Sequence, residues 1–160
     1  TPLKMKTIHS TLVGAIPGAL PPVLGWAAVR NSVNAEALIL FGIIFLWQIP
    51  HFLAISWMYR REFGTAGFKM LAVVDTQGRR VTKHVRLYSL MLFPVSLLPT
   101  FAGLTGWIYL AAALFVNAYF LKTVFWATQD FDQRAAGLFK ATLVYLTLLL
   151  IFMTFDKSRL

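Results

Sequence analysis

Residues 47 to 63 read WQIPHFLAISWMYRREF. A tryptophan, a glutamine and a histidine stand in an otherwise apolar run, and two arginines and a glutamate close it. An imidazole can ligate a metal or orient a ring, and a carboxylate beside guanidinium groups can hold a magnesium ion and an anion together. If the run is helical, His51 follows Trp47 by four residues and Gln48 by three, so the three side chains share a face. Continuing at about 100° per residue brings Ile55, Met58 and Glu62 onto nearly the same face, with Glu62 about 16 Å further along the axis than His51. Polar groups in such a stripe either hydrogen-bond to neighbouring helices or look into a wet cavity. Arg60 and Arg61 are either a solvated charge run or an anion clamp beside Glu62. The residue types alone leave both pairs of readings open.

The elements that position these residues must be membrane helices. Of the 160 residues 58% are hydrophobic and 13% charged, and the mean hydropathy of +0.68 lies far outside the soluble globular range. Runs of 23 uncharged residues separate Lys6 from Arg30 and Glu36 from Arg60, and 35 separate Arg86 from Lys122. Twenty-three residues make about 35 Å of helix, enough for a hydrocarbon core of roughly 30 Å. The longer run divides at Gly103-Leu104-Thr105-Gly106. Five crossings are expected, at about 10–29, 37–58, 87–103, 107–127 and 135–155, all helical because lipid offers no partner to an unpaired backbone group. In the last, Lys140 must sit near one membrane face and snorkel.

Taking the 59–86 loop as cytoplasmic puts Lys4, Lys6, Arg60, Arg61, Lys69, Arg79, Arg80, Lys83, Arg86, Lys122, Arg134 and Lys140 inside and only Arg30, Lys157 and Arg159 outside. The net charge of +9 hugs span ends, so anionic lipid or an anionic substrate accounts for it and nucleic acid is not implied. With no cysteine, disulfides and thiolate metal sites are excluded. The odd number of spans and the start on Thr1-Pro2 suggest the C-terminal portion of a longer protein.

The first span, STLVGAIPGALPPVLGW, must be kinked or interrupted by its prolines; its glycines serve either close helix packing or the lining of a cavity. The long loop mixes Arg60, Arg61, Lys69, Arg79 and Arg80 with the apolar FKMLAVV and a DTQG turn, which suits an amphipathic flap on the membrane surface. Asn117, mid-span, is expected to hydrogen-bond another helix, and Asp130 and Asp132 to be solvated turn residues. No phosphate-binding loop, dinucleotide fingerprint, zincin motif or nucleophile elbow occurs.

VGAIPGALPPVLGW (13–26), WQIPHF (47–52), YRREFGTAGFKML (59–71), PVSLLP (94–99) and GLTGWIYL (103–110) together resemble the heme O synthase (protoheme IX farnesyltransferase) group of UbiA-type intramembrane prenyltransferases. Ala135, Leu138, Phe139, Thr142, Tyr145 and Leu146 are similar to that family's closing helix. The resemblance implies an all-helical bundle of about nine spans, of which this chain would supply five. It also implies transfer of a farnesyl group from farnesyl diphosphate to a vinyl group of heme B, with Mg²⁺ held by two acidic motifs, one in each half. By that likeness Glu62 would help hold Mg²⁺, Arg60, Arg61 and Lys69 would clamp phosphate oxygens, and His51, Gln48 and Trp47 would orient the heme. Farnesyl diphosphate, heme B and membrane lipid are the implied partners, with heme A synthase or terminal-oxidase assembly as protein partners and a bacterial inner membrane as the location.

The chain departs from the family pattern in several places. The usual aspartate-tyrosine is Glu62-Phe63, a lysine-arginine pair is Lys4-Met5, an asparagine is Ser10, and a proline is Ala72. The alternatives are a prenyltransferase for a quinone precursor, a transporter, or a non-catalytic membrane subunit.

Overall fold

The computed structural model describes residues 10 to 157. Lys4, Met5, Lys6 and Arg159, used above for orientation and family likeness, lie outside them. Eight helices follow in chain order among the described residues: α1 (Ser10–Gly18), α2 (Leu20–Arg30), α3 (Ala35–Met58), α4 (Arg60–Thr65), α5 (Leu71–Val74), α6 (Arg79–Phe101), α7 (Trp107–Ala127) and α8 (Phe131–Phe155). The chain is all-α; the one β feature among the described residues is an isolated bridge between Thr105 and Lys157.

The proline-rich first span is interrupted at Ala19, whose N–H is shared between Ala15 O and Ile16 O, both at 3.1 Å. Pro21 and Pro22 then occupy the first turn of α2, where the missing N–H has no intrahelical partner to lose. The stretch closes on Asn31, in the left-handed region at φ 52°, donating to Ala27 O. Asn34 caps α3 by accepting from Ala37 N at 3.4 Å, and Glu36 in the first turn complements the helix dipole.

Four stretches are long and apolar enough to cross a membrane: 11–30 (α1 with α2), α3, α7 and α8. The fifth expected span is the apolar end of α6. That helix begins at Arg79, inside the expected loop, and its first eight residues include Arg79, Arg80, Lys83 and Arg86. Helix α6 is not among the four.

Helix α3 is the centre of the bundle, packed against α1, α2, α6 and α8, while α7 joins α6 and α8. Its buried positions, among them Ile43, Leu46, Ile49, Leu53, Ala54 and Trp57, meet inward stripes of the neighbours, such as Val81, Val85 and Leu92 of α6 and Ala135, Leu138, Tyr145 and Leu149 of α8. A satisfied polar cluster crosses α6, α7 and α8. Asn117 Nδ2 donates to Ser96 Oγ (2.8 Å) and Ala113 O (2.7 Å), Tyr145 Oη donates to Asn117 Oδ1 (3.1 Å), and Tyr109 Oη donates to Ser96 O (2.7 Å). Asn117 thus makes the interhelical bond its position suggested, and in lipid such a bond specifies which helices are neighbours.

The loop after α3 packs part of its apolar run against the bundle. Met70, Leu71 and Ala72 are buried, with α5 set against α3 and α6. In FKMLAVV the central Met70, Leu71 and Ala72 are thus spent on the protein, while Val74 at its end is exposed. Asp75 ends the loop by accepting from the N–H groups of Arg80 (2.7 Å) and Val81 (2.9 Å), which starts α6.

Candidate functional site

The stripe read from residues 47 to 62 is divided by the tertiary structure. Helix α3 ends at Met58; Tyr59 leaves helical geometry (φ −103°, ψ 23°), and Glu62 lies on the separate short helix α4. Extrapolation at 100° per residue therefore fails beyond Met58. Gln48 also parts from its neighbours: its Nε2 donates to Ala15 O of α1 at 2.9 Å, and the side chain is buried. The backbone there can come close because position 18 is glycine, where a Cβ would stand 2.5 Å from Gln48 Oε1.

Trp47 and His51 turn instead toward α8. Trp47 Nε1 donates to Thr142 O at 2.7 Å, and the His51 ring stacks on Trp47 (centroids 4.9 Å apart) and leans on Phe139 (5.0 Å). His51 Nδ1 lies 2.8 Å from Thr142 Oγ1. The direction of that bond follows from the hydroxyl's single proton, which Thr142 donates to Phe139 O at 2.6 Å. With that proton on Phe139 O, Thr142 Oγ1 accepts from Nδ1–H and a neutral ring keeps its lone pair on Nε2; the other tautomer would compete with Phe139 O for the same proton. The only buried side-chain polar atoms without a partner among the described residues are Trp26 Nε1 and Ser89 Oγ. Nε2 of His51 is thus not sealed inside the bundle, and the ring offers an acceptor or a metal ligand outward.

At the basic end the three predicted cations separate. Arg60 is committed: its guanidinium donates to Asp132 Oδ1 at 2.7 Å and to Trp57 O at 3.0 Å, and it lies over the Trp57 ring at 4.3 Å. Trp57 Nε1 donates to the same carboxylate at 3.1 Å, so Asp132 ties the α7–α8 turn to the end of α3. Asp132, expected as a solvated turn residue, is indeed mostly exposed, and it also ties these segments together because Arg60 and Trp57 arrive from a segment distant in sequence. Arg61, Glu62 and Lys69 are exposed and form no ion pair among the described residues.

A magnesium ion needs oxygen ligands, and one or two carboxylates suffice when phosphate oxygens complete the shell. Asp75 is occupied in starting α6 and Asp132 in holding Arg60, whereas the Glu62 carboxylate is unpaired and in the open. Glu62 therefore fits as one ligand of a shared site. No group of three or more metal-binding side chains occurs among the described residues.

Two cavities flank α1 where it crosses α3. One, of about 310 Å³, is lined by Thr11, Gly14, Phe52, Ile55, Ser56, Phe63 and Met70. Phe63 places it one residue from Glu62. The other, of about 190 Å³, is walled by Leu12, Ile49, Leu53 and Leu71 and by Arg80, His84 and Tyr88 of α6. Neither is lined by His51 or Glu62. Sequence reasoning read Arg80 only as part of the basic loop and gave His84 and Tyr88 no role, although their four-residue spacing was a usable signal for one helical face. It gave Thr142 no role toward His51, because that pairing depends on how α8 packs.

The model of the UbiA prenyltransferase family matches residues 1–154. The chain belongs to that family. It is 42% identical over its whole length to a protoheme IX farnesyltransferase of Solibacter usitatus, covering 55% of that protein. With proteins of the same name from Opitutus terrae and Hahella chejuensis it shares 39% and 41% identity over 98% and 96% of the chain. The chain spans about half the length of these curated relatives. No solved structure matches it. Family membership and the four apolar helices make it an integral membrane protein.

Proposed function

We propose that this chain is part of a farnesyltransferase of a bacterial inner membrane, which moves the farnesyl group of farnesyl diphosphate onto a vinyl carbon of heme B while water adds at the neighbouring carbon, giving heme O with its hydroxyethylfarnesyl side chain and diphosphate. The observation that carries this reading is identity near 40% across essentially the whole chain to relatives bearing the name protoheme IX farnesyltransferase. The product would pass to heme A synthase or to terminal-oxidase assembly.

In this reading the exposed Glu62 would be the residue of this chain that holds Mg²⁺, sharing it with an acidic motif outside this chain. Magnesium, when bound, supplies positive charge against the charge that develops on the departing diphosphate. Arg61 and Lys69, unpaired at the same end, complement the remaining phosphate oxygens. Arg60, held by Asp132, positions the α3–α4 junction and keeps N–H groups beyond its two bonds for phosphate. The cavity reached through Phe63 shelters the first part of the isoprenoid from water, between the glycine-rich α1 and the aromatic edge of α3. His51 offers Nε2 to the heme, as an iron ligand or an acceptor, with Thr142 fixing its tautomer and Trp47 its plane. Gln48, bonded to Ala15 O, holds α1 in place, a step removed from the heme.

The test uses the full-length protein in membranes with heme B, farnesyl diphosphate and Mg²⁺. Heme O should form, and Glu62→Gln and His51→Ala should each abolish it while the protein stays inserted. Farnesylation of a quinone precursor with no heme product would overturn the assignment, and normal turnover of His51→Ala would remove the role given to that ring.

A further inference from the structure

On the opposite side of α8 from His51, a groove runs along the seam between α7 and α8. Its membrane-interior part, about 410 Å³, is almost wholly apolar, with Phe115, Phe120 and Leu148 in its walls. Toward the basic end it continues past Tyr119, Ala141 and Val144, which line both parts, into a space of about 510 Å³. There the polar lining is Lys122, Thr123, Trp126 and Lys140.

The lysines are the unusual feature. Lys122 precedes the end of α7 at Ala127 by five residues, and Lys140 follows the start of α8 at Phe131 by nine. At ~1.5 Å per residue they enter about 7 and 13 Å inside their helix ends. A cation at that depth needs a partner or must snorkel. None is supplied among the described residues: Asp132 is held by Arg60, Asp130 accepts from Gln133 N, and neither lysine has an ion pair. The Thr123 hydroxyl is also engaged, donating to Tyr119 O. A third cation stands at the rim, where Arg134 lies over the Trp126 ring at 4.2 Å and donates to Trp126 O.

We propose that the α7–α8 seam binds an anionic phospholipid, its phosphate held between Lys122 and Lys140 and one acyl chain lying in the apolar groove. Charge complementarity fixes the head and the continuous apolar wall fixes the tail. A prenyl diphosphate has the same two-part character, but no carboxylate lines the groove to hold Mg²⁺. The α8 residues that touch His51 are Phe139 and Thr142, whereas the groove takes Lys140, Ala141 and Val144 from another face of that helix. The site is therefore separate from the proposed transfer chemistry and does not depend on it.

Native mass spectrometry of the full-length protein, titrated with phosphatidylglycerol and with phosphatidylcholine of the same acyl chains, tests this. One phosphatidylglycerol should bind at least about 10-fold more tightly than phosphatidylcholine. Replacing both lysines (Lys122→Gln with Lys140→Gln) should weaken phosphatidylglycerol about 30-fold, or about 2 kcal/mol for two surface cations, and leave phosphatidylcholine unchanged. The corresponding pair of arginine variants should restore binding. Equal affinity for the two lipids, unchanged phosphatidylglycerol binding in the glutamine pair, or displacement of the lipid by equimolar farnesyl diphosphate would each overturn the proposal.

Discussion

Thr142→Val isolates the one bond that sets the protonation pattern of His51. Valine keeps the size and branching of threonine, and the backbone oxygen that accepts from Trp47 Nε1 at 2.7 Å is untouched. The ring keeps its contacts with Trp47 and Phe139. What disappears is the acceptor 2.8 Å from Nδ1. A hydrogen bond of this kind is worth about 1 kcal/mol net, so the preference for the Nδ1–H tautomer should fall by about five-fold. The proton can then move to Nε2, which relieves the orphaned donor and limits the loss of stability to about 1 kcal/mol. ¹⁵N NMR of histidine-labelled full-length protein separates protonated from bare ring nitrogens and reads this directly. Under the proposed contact of Nε2 with heme B, heme affinity should fall by about the same five-fold, and Thr142→Ser should retain both the tautomer and the affinity. A ¹⁵N pattern for His51 identical in Thr142→Val and the parent protein would refute the argument from the hydroxyl's single proton.

Gly18→Ala puts a methyl group 2.5 Å from Gln48 Oε1, which should break the buried bond to Ala15 O and lower stability by about 1–3 kcal/mol, measured by thermal unfolding in detergent. The same substitution in a Gln48→Ala background should cost distinctly less. Gly78→Ala meets two penalties, a φ of +70° and a Cβ 2.9 Å from Trp57 Cη2; a loss of at least about 1 kcal/mol is expected, with changed Trp57 fluorescence. Asp132→Asn should free the Arg60 guanidinium at a cost of no more than about 1 kcal/mol, because the pair is partly exposed, and hydrogen exchange should quicken at the α7–α8 turn.

Much of the bundle was legible because lipid leaves few options. Uncharged runs of spanning length, Gly103 to Gly106 as a divider and prolines 17, 21 and 22 as an interruption each map onto an observed helix or break. The Arg79–Phe101 helix was only half legible, since its basic first turns read as loop. A helix can begin in water wherever a cap such as Asp75 is available. The candidate site was legible in its residue types and not in its grouping. Spacing put Trp47 and His51 on one face, and they share one; it also put Gln48 and Glu62 there, and they do not.

Composition and periodicity by themselves determined that the chain is a helical membrane protein and where its apolar stretches lie, because both follow from the cost of exposing backbone and charge to hydrocarbon. The local motifs carried the family as well. Partnership was decided only in three dimensions: Gln48 with Ala15, His51 with Thr142 and Arg60 with Asp132 join residues 33, 91 and 72 positions apart. No local pattern encodes such pairs. They exist because close-packed helices bring particular faces together, and a polar group inside the bundle bonds to whatever donor or acceptor that packing places beside it.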